Sequence, residues 1–178
     1  MEIQINNELR DRAYQCAYKH GFHDKEYSDE HWLMLIITEI SEAVNADRNG
    51  RMANIDAFKR LYSGSDSKFG YEKLIKGSVE EELADVVIRC LDFAAMKGIN
   101  IDVKTCSYTE KLSFEERMYW ICSSFTFINN EFEFENRIND AIDSITSLAK
   151  INNIDLLWHI EQKMRYNELR EPMHGKKY

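Results

Sequence analysis

The chain has a single proline, Pro172, and only seven glycines in 178 residues. So few backbone breakers favour long helices and exclude a fold built from many tight turns. Strand signals are missing as well. No sustained apolar–polar alternation occurs, and no Asn-Gly or Asp-Gly hairpin joins two apolar runs. The four cysteines (Cys16, Cys90, Cys106, Cys122) are scattered with no Cys-x-x-Cys pair. That argues against a zinc site or a disulfide framework and for a reducing compartment. Positive charge is scarce: the formal net charge is −8 and the pI is near 5.2. A nucleic-acid-coating surface is normally basic, so no nucleic-acid partner is expected. The start, Met1 to Asn6, lacks a basic and apolar leader, and no run approaches the roughly 18 apolar residues that span a bilayer. The expectation is a soluble, cytoplasmic protein without a membrane partner. Phosphate-binding loops, nucleophile elbows and dinucleotide fingerprints are absent.

What is present is apolar helical periodicity. Hydrophobic residues make up 44% of the chain, enough for one domain with a substantial core. A first helix is expected over residues 6–20, stopped by Gly21. Ser28 can cap a second helix carrying Trp32, Leu33, Ile36, Ile37, Ile40 and Val44, ended by Asn49-Gly50. Residues 51–77 are less periodic, with a short helix around Ala53 to Leu61 and a polar loop at Ser63 to Ser67. This insert carries Arg51, Lys59, Arg60, Lys68, Lys73 and Lys76, which read as a solvated surface or as a lid that contacts phosphates. Ser78 with Glu81, and Ser113 with Glu116, have the spacing of capping boxes. The first opens a helix that stops at Gly98. The second opens one broken at Asn129-Asn130. A further helix carries Ile138, Ile142, Ile145 and Leu148, and Asp155 caps the last, which runs towards Arg170. The fold expected is an all-α helical bundle in a single domain, 1–178.

The segment Ala94 to Asn100 aligns with Ala149 to Asp155, both ending a helix on a residue tolerant of left-handed backbone before an isoleucine. Residues 28–100 and 113–178 therefore read as two degenerate tandem halves of helix pairs, or as one unit with an insertion.

Carboxylates recur at helical spacing on the most apolar helices. Glu39 with Glu42, and Glu82 with Asp85, each put two acids on one helix face. If the two helices pack together, four carboxylates converge, and such a cluster must protonate or bind cations. Hard divalent ions such as Mg2+ accept an oxygen cage of this kind. Acidic residues are also common on solvated helix faces. Glu81 reads as a cap partner, and Asp85, Arg89 and Asp92 as an intrahelical ladder. Glu39 lies on the stripe of Trp32, Ile36 and Ala43, so it faces packed surface. A di-iron bundle needs Glu-x-x-His pairs, and the one such pair, Glu171 with His174, sits in the proline-containing tail.

The Glu39-x-x-Glu42 and Glu82-x-x-Asp85 pairs, the second within Leu83-Ala84-Asp85-Val86-Val87, resemble the MazG-like all-α nucleoside triphosphate pyrophosphohydrolases, relatives of the dimeric dUTPases. Lys163 to Asn167, then Arg170 and His174-Gly175-Lys176-Lys177, resemble that family's closing segment. Thr38 stands where the family often has a further Glu. The resemblance implies Mg2+-dependent hydrolysis of a nucleoside triphosphate between its α and β phosphates, giving a monophosphate and pyrophosphate. Glu39, Glu42, Glu82 and Asp85 are the implied metal ligands, with Glu39 also orienting the attacking water. Lys163, Asn167, Arg170 and Lys176 are the implied phosphate contacts, and Trp32, Phe22 and His23 are candidates for a base pocket. A homodimer is implied too. The competing expectations are a non-catalytic helical oligomerisation module and a pyrophosphohydrolase acting on a phosphoribosyl-linked nucleotide.

Overall fold

A computed structural model describes residues 4–62, 67–104, 112–126 and 131–175. Among the described residues eight helices follow one another: α1 (Asn7–Lys19), α2 (Asp29–Arg48), α3 (Ile55–Leu61), α4 (Ser67–Leu74), α5 (Val79–Lys97), α6 (Phe114–Ser124), α7 (Glu131–Ile151) and α8 (Leu156–Glu168). A 3-10 turn, Pro172–Gly175, closes the described chain. There is no strand among the described residues, and the molecule is an all-α bundle.

The bundle is organised around α5, which packs against α1, α2, α7 and α8. Thirteen of its nineteen residues are buried, so a helix that is apolar nearly all round has become the axis of the core. Leu83, Val87, Cys90, Leu91 and Ala94 of α5 meet Ile36, Ile40 and Ala43 of α2 and Ile138, Ile142 and Ile145 of α7 in one cluster. Each large side chain so buried contributes about 1.5–3 kcal/mol. A second, smaller cluster of Phe58, Tyr71, Ile75 and Tyr166 fastens α3 and α4 to α8.

Local signals set the boundaries. Asn6, Asn54, Ser78, Ser113 and Asp155 each accept a backbone N–H through the side chain at a helix start. Ser28 occupies the cap position of α2 without such a bond. Ser113 and Glu116 close the expected reciprocal capping box. The helices α5 and α7 end alike. Gly98 (φ 66) and Asn153 (φ 55) are left-handed, and the next residue's N–H, that of Ile99 or Ile154, returns to the carbonyl of Ala94 or Ala149 at 2.9 and 2.8 Å. The two segments aligned in sequence thus terminate in the same register.

The segment 51–77 is more ordered than its composition suggests. α4 fills its second half, and Gly70 lies inside that helix because a Cβ there would stand 2.2 Å from the Tyr62 ring. The remainder of the expected Ser63–Ser67 loop, the break at Asn129-Asn130, Cys106 and Lys176 lie outside the described residues.

Candidate functional site

The first turn of α5 carries three consecutive glutamates, all buried, and each is put to a different use. Glu80 Oε2 accepts the Ala53 N–H at 2.9 Å and pins the chain that leaves α2. Glu81 Oε2 accepts the Gly77 N–H at 2.8 Å, and Oε1 accepts from the Tyr71 hydroxyl at 3.2 Å and from the Lys163 ammonium. Glu82 turns towards α2. The positive end of the helix dipole favours negative charge at this place. The capping box read at Ser78 is therefore half formed: Ser78 Oγ accepts the Glu81 N–H at 3.3 Å, but Glu81 reaches past the cap residue to Gly77 and into the protein.

Across from this turn, α2 supplies Glu39 and Glu42. One oxygen from each of Glu39, Glu42 and Glu82 lies within 4.8 Å of the others, and the same holds for Glu81, Glu82 and Asp85. Glu82 belongs to both triads, so five carboxylates from two helices form one chain of acids. Either triad can hold a metal ion. They line a cavity of about 290 Å3 together with Lys76, Lys163, Asn167 and Arg170, and with Phe22 and residues of α1.

The electrostatics follow from burial and crowding. Burial, reinforced by the charges of Glu81 and Asp85, pushes Glu82 up to about 9. Burial also raises Asp85, to about 7, against the pull of Lys163 and with the help of Glu81 and Glu39. Burial would raise Glu81 too, but Lys163 and the Gly77 and Tyr71 bonds outweigh it and leave its carboxyl below the ordinary range. Burial opposes the Lys163 charge, yet Asp85 and Glu81 hold its pKa above the ordinary lysine value, so the ammonium stays charged. Burial and the nearby acids raise the Tyr71 phenol, which remains a donor.

The sequence-derived residues are distributed as follows. Glu39, Glu42, Glu82, Asp85, Lys163, Asn167, Arg170 and Phe22 line the one cavity. Glu39 is 5% exposed, and its Oε1 accepts from Arg89 Nε at 3.1 Å. Arg89 thus serves Glu39 rather than an intrahelical ladder with Asp85 and Asp92, and Asp92 pairs with His23 Nε2 at 2.8 Å. Lys163 does not present an unengaged ammonium to the cavity, as a phosphate grip needs; it bridges Glu81 and Asp85. Trp32 and His23 do not line the cavity. They are core: His23 stacks between Tyr14 and Trp32 at centroid distances of 4.7 and 5.0 Å. Of the three base-pocket candidates, Phe22 alone lines the cavity, and the Arg89 guanidinium lies over its ring at 5.3 Å.

Sequence reasoning missed Glu81 and Arg89 as members of the site. Glu81 and Asp85 are four residues apart and share a helix face, which was the available signal, but the capping role absorbed it. Of the basic residues in the 51–77 insert, Lys76 reaches the cavity; Lys59 lies over Trp158, Lys73 over Phe69, and Lys68 donates to the Leu169 carbonyl at 3.2 Å. The tail is fixed by the Met173 N–H, which donates to the His20 carbonyl at 2.7 Å.

Comparison of the chain with protein-family models, with curated proteins and with solved structures returns no match.

Proposed function

We propose that the chain is a Mg2+-dependent nucleoside triphosphate pyrophosphohydrolase of the MazG-like kind, cleaving between the α and β phosphates. The observation that carries the reading is the convergence of Glu39, Glu42, Glu82 and Asp85 from α2 and α5 in one cavity, which Lys76, Asn167 and Arg170 also line. Mg2+ suits this donor set because every donor is a hard carboxylate oxygen. When bound, Mg2+ neutralises phosphate charge and activates water.

The chain's own residues do the rest. Glu39, fixed by Arg89, orients the attacking water and accepts its proton. Lys163 neutralises Glu81 and Asp85, which keeps the acids together when no other cation is near. Arg170 and Lys76 pair with phosphate oxygens, Arg170 with two parallel donors. Asn167 sits on the cavity wall with its side-chain oxygen unpartnered at 8% exposure, placed to accept from a substrate hydroxyl. Water attacks the α-phosphorus, the bond to the bridging oxygen breaks, and pyrophosphate leaves with that oxygen. The homodimer implied by the same resemblance belongs to this proposal, and Tyr119 and Trp120, exposed on α6, supply an apolar face for it.

The test is a panel of nucleoside triphosphates with Mg2+, scored for pyrophosphate release by the wild type and by Glu42→Gln and Asp85→Asn. Release from one or more substrates, reduced at least about a hundredfold in each variant while the fold is kept, supports the reading. Release that survives in both variants, or survives chelation by EDTA, removes the cluster from the chemistry.

A further inference from the structure

We propose that the groove between α3, α4 and α8 is a second ligand site, built for a mononucleotide and independent of metal. The groove has a volume of about 320 Å3, within the range of small-ligand pockets. Its walls are aromatic. Tyr62 and Trp158, both half-buried, line it, as does the stacked pair Tyr71 and Tyr166 (centroids 4.5 Å apart). Its rim is cationic: Lys59, Lys68 and Arg165 all line it and all are exposed.

The charge pattern sets the groove apart. The protein carries a net charge of −8, yet three cations and not one Asp or Glu line this groove. Arg165 has a carboxylate neighbour on its own helix, Glu161, at 3.5 Å. Lys59 lies over the Trp158 ring, 5.1 Å from its centre, and Lys68 donates to the Leu169 carbonyl, so a phosphate would draw both cations from contacts they already make. A planar base stacks on an aromatic wall, and a phosphate pairs with a lysine rim. A purely apolar ligand leaves the lysines unused, and a bare anion leaves the rings unused. A base carrying a phosphate uses both.

This groove and the carboxylate cavity share no lining residue. Tyr71 lies between them: it lines the groove while its hydroxyl donates to Glu81 at 3.2 Å. The assignment does not rest on the cluster being catalytic.

The experiment is equilibrium dialysis of AMP against the full chain in EDTA, with tryptophan fluorescence followed in parallel. Saturable binding without divalent ions is expected, with quenching that disappears in Trp158→Phe. Trp158→Ala weakens binding by about tenfold, the loss of one base–aromatic stack. Because Trp158 also packs on Phe58, the surface variant Lys59→Glu/Lys68→Glu provides an arm that leaves the core intact, and it weakens binding by a similar factor. Adenosine and inorganic phosphate each bind more weakly than AMP. The proposal is overturned if millimolar AMP shows no saturable binding in EDTA, or if its binding survives the double charge reversal. It is overturned equally if a single-stranded oligonucleotide binds and AMP fails to compete, since the groove then serves nucleic acid.

Discussion

At the residue scale the site is a problem of charge. Lys163 is a 6% exposed ammonium between Glu81 and Asp85, and removing it leaves two acids with no counter-charge beside them. Lys163→Met is expected to destabilise the protein by about 3–5 kcal/mol, measured by chemical denaturation in EDTA, because breaking a buried pair strands the remaining charge. A loss below about 1 kcal/mol would mean the pairing is no stronger than a surface ion pair. The acids also set a pH dependence. Glu82 rises from its ordinary 4.5 to about 9 and Asp85 from 3.8 to about 7 in the folded chain. The folded state therefore binds these protons more tightly than the unfolded chain, and stability falls as pH rises through the window between the two values. Glu81, held low, contributes in the opposite sense: its stabilisation is present above the unfolded value and lost as pH falls. In EDTA the Tm should decline between pH 6 and pH 9, and Glu82→Gln should flatten the decline. A wild-type Tm that rises across that range contradicts the assignment.

Residues differed in how far the sequence exposed them. Glu39 was legible because it interrupts an apolar stripe, and a carboxylate on such a stripe must find a partner, which turned out to be Arg89. Glu81 was hidden because one residue both follows a cap and reaches a site. Trp32 and His23 look the same in sequence whether they line a pocket or pack a core, and only the neighbours of each ring separate the two cases.

At the element scale, α5 explains why the acids meet. Its capped first turn carries three buried glutamates, where the helix dipole offsets part of their charge. Gly77 sets the approach. Its φ is +74, its N–H donates to Glu81, and a Cβ there would lie 3.2 Å from the Arg51 guanidinium. Gly77→Ala is expected to cost about 1–2 kcal/mol from the left-handed backbone alone, read as a lowered Tm. The long helices were legible from apolar period and caps. α4 was not, because its internal glycine mimics a loop signal and its reason, contact with Tyr62, is tertiary. The matched ends of α5 and α7 were visible as a faint alignment and prove to be the same backbone device.

At the scale of the whole molecule, a chain with one proline and no strand pattern had little choice but a bundle, and its most apolar helix had to be the axis. No described helix is long and apolar enough to cross a membrane. What the sequence could not convey is the pairing of faces: which acids end up within reach of one another depends on how α2, α5 and α8 are rotated, and periodicity does not fix that. The rotation brings the acids into one cavity with Lys76, Asn167 and Arg170. The most direct measurement is a calorimetric titration of Mg2+ into the wild type and Glu82→Gln at pH 7.5, in two buffers of different ionisation enthalpy. The account predicts saturable binding by the wild type with net proton release, since Glu82 must give up its proton, and binding at least about tenfold weaker in the variant. Equal binding in both proteins, or no saturable heat in the wild type, would contradict it.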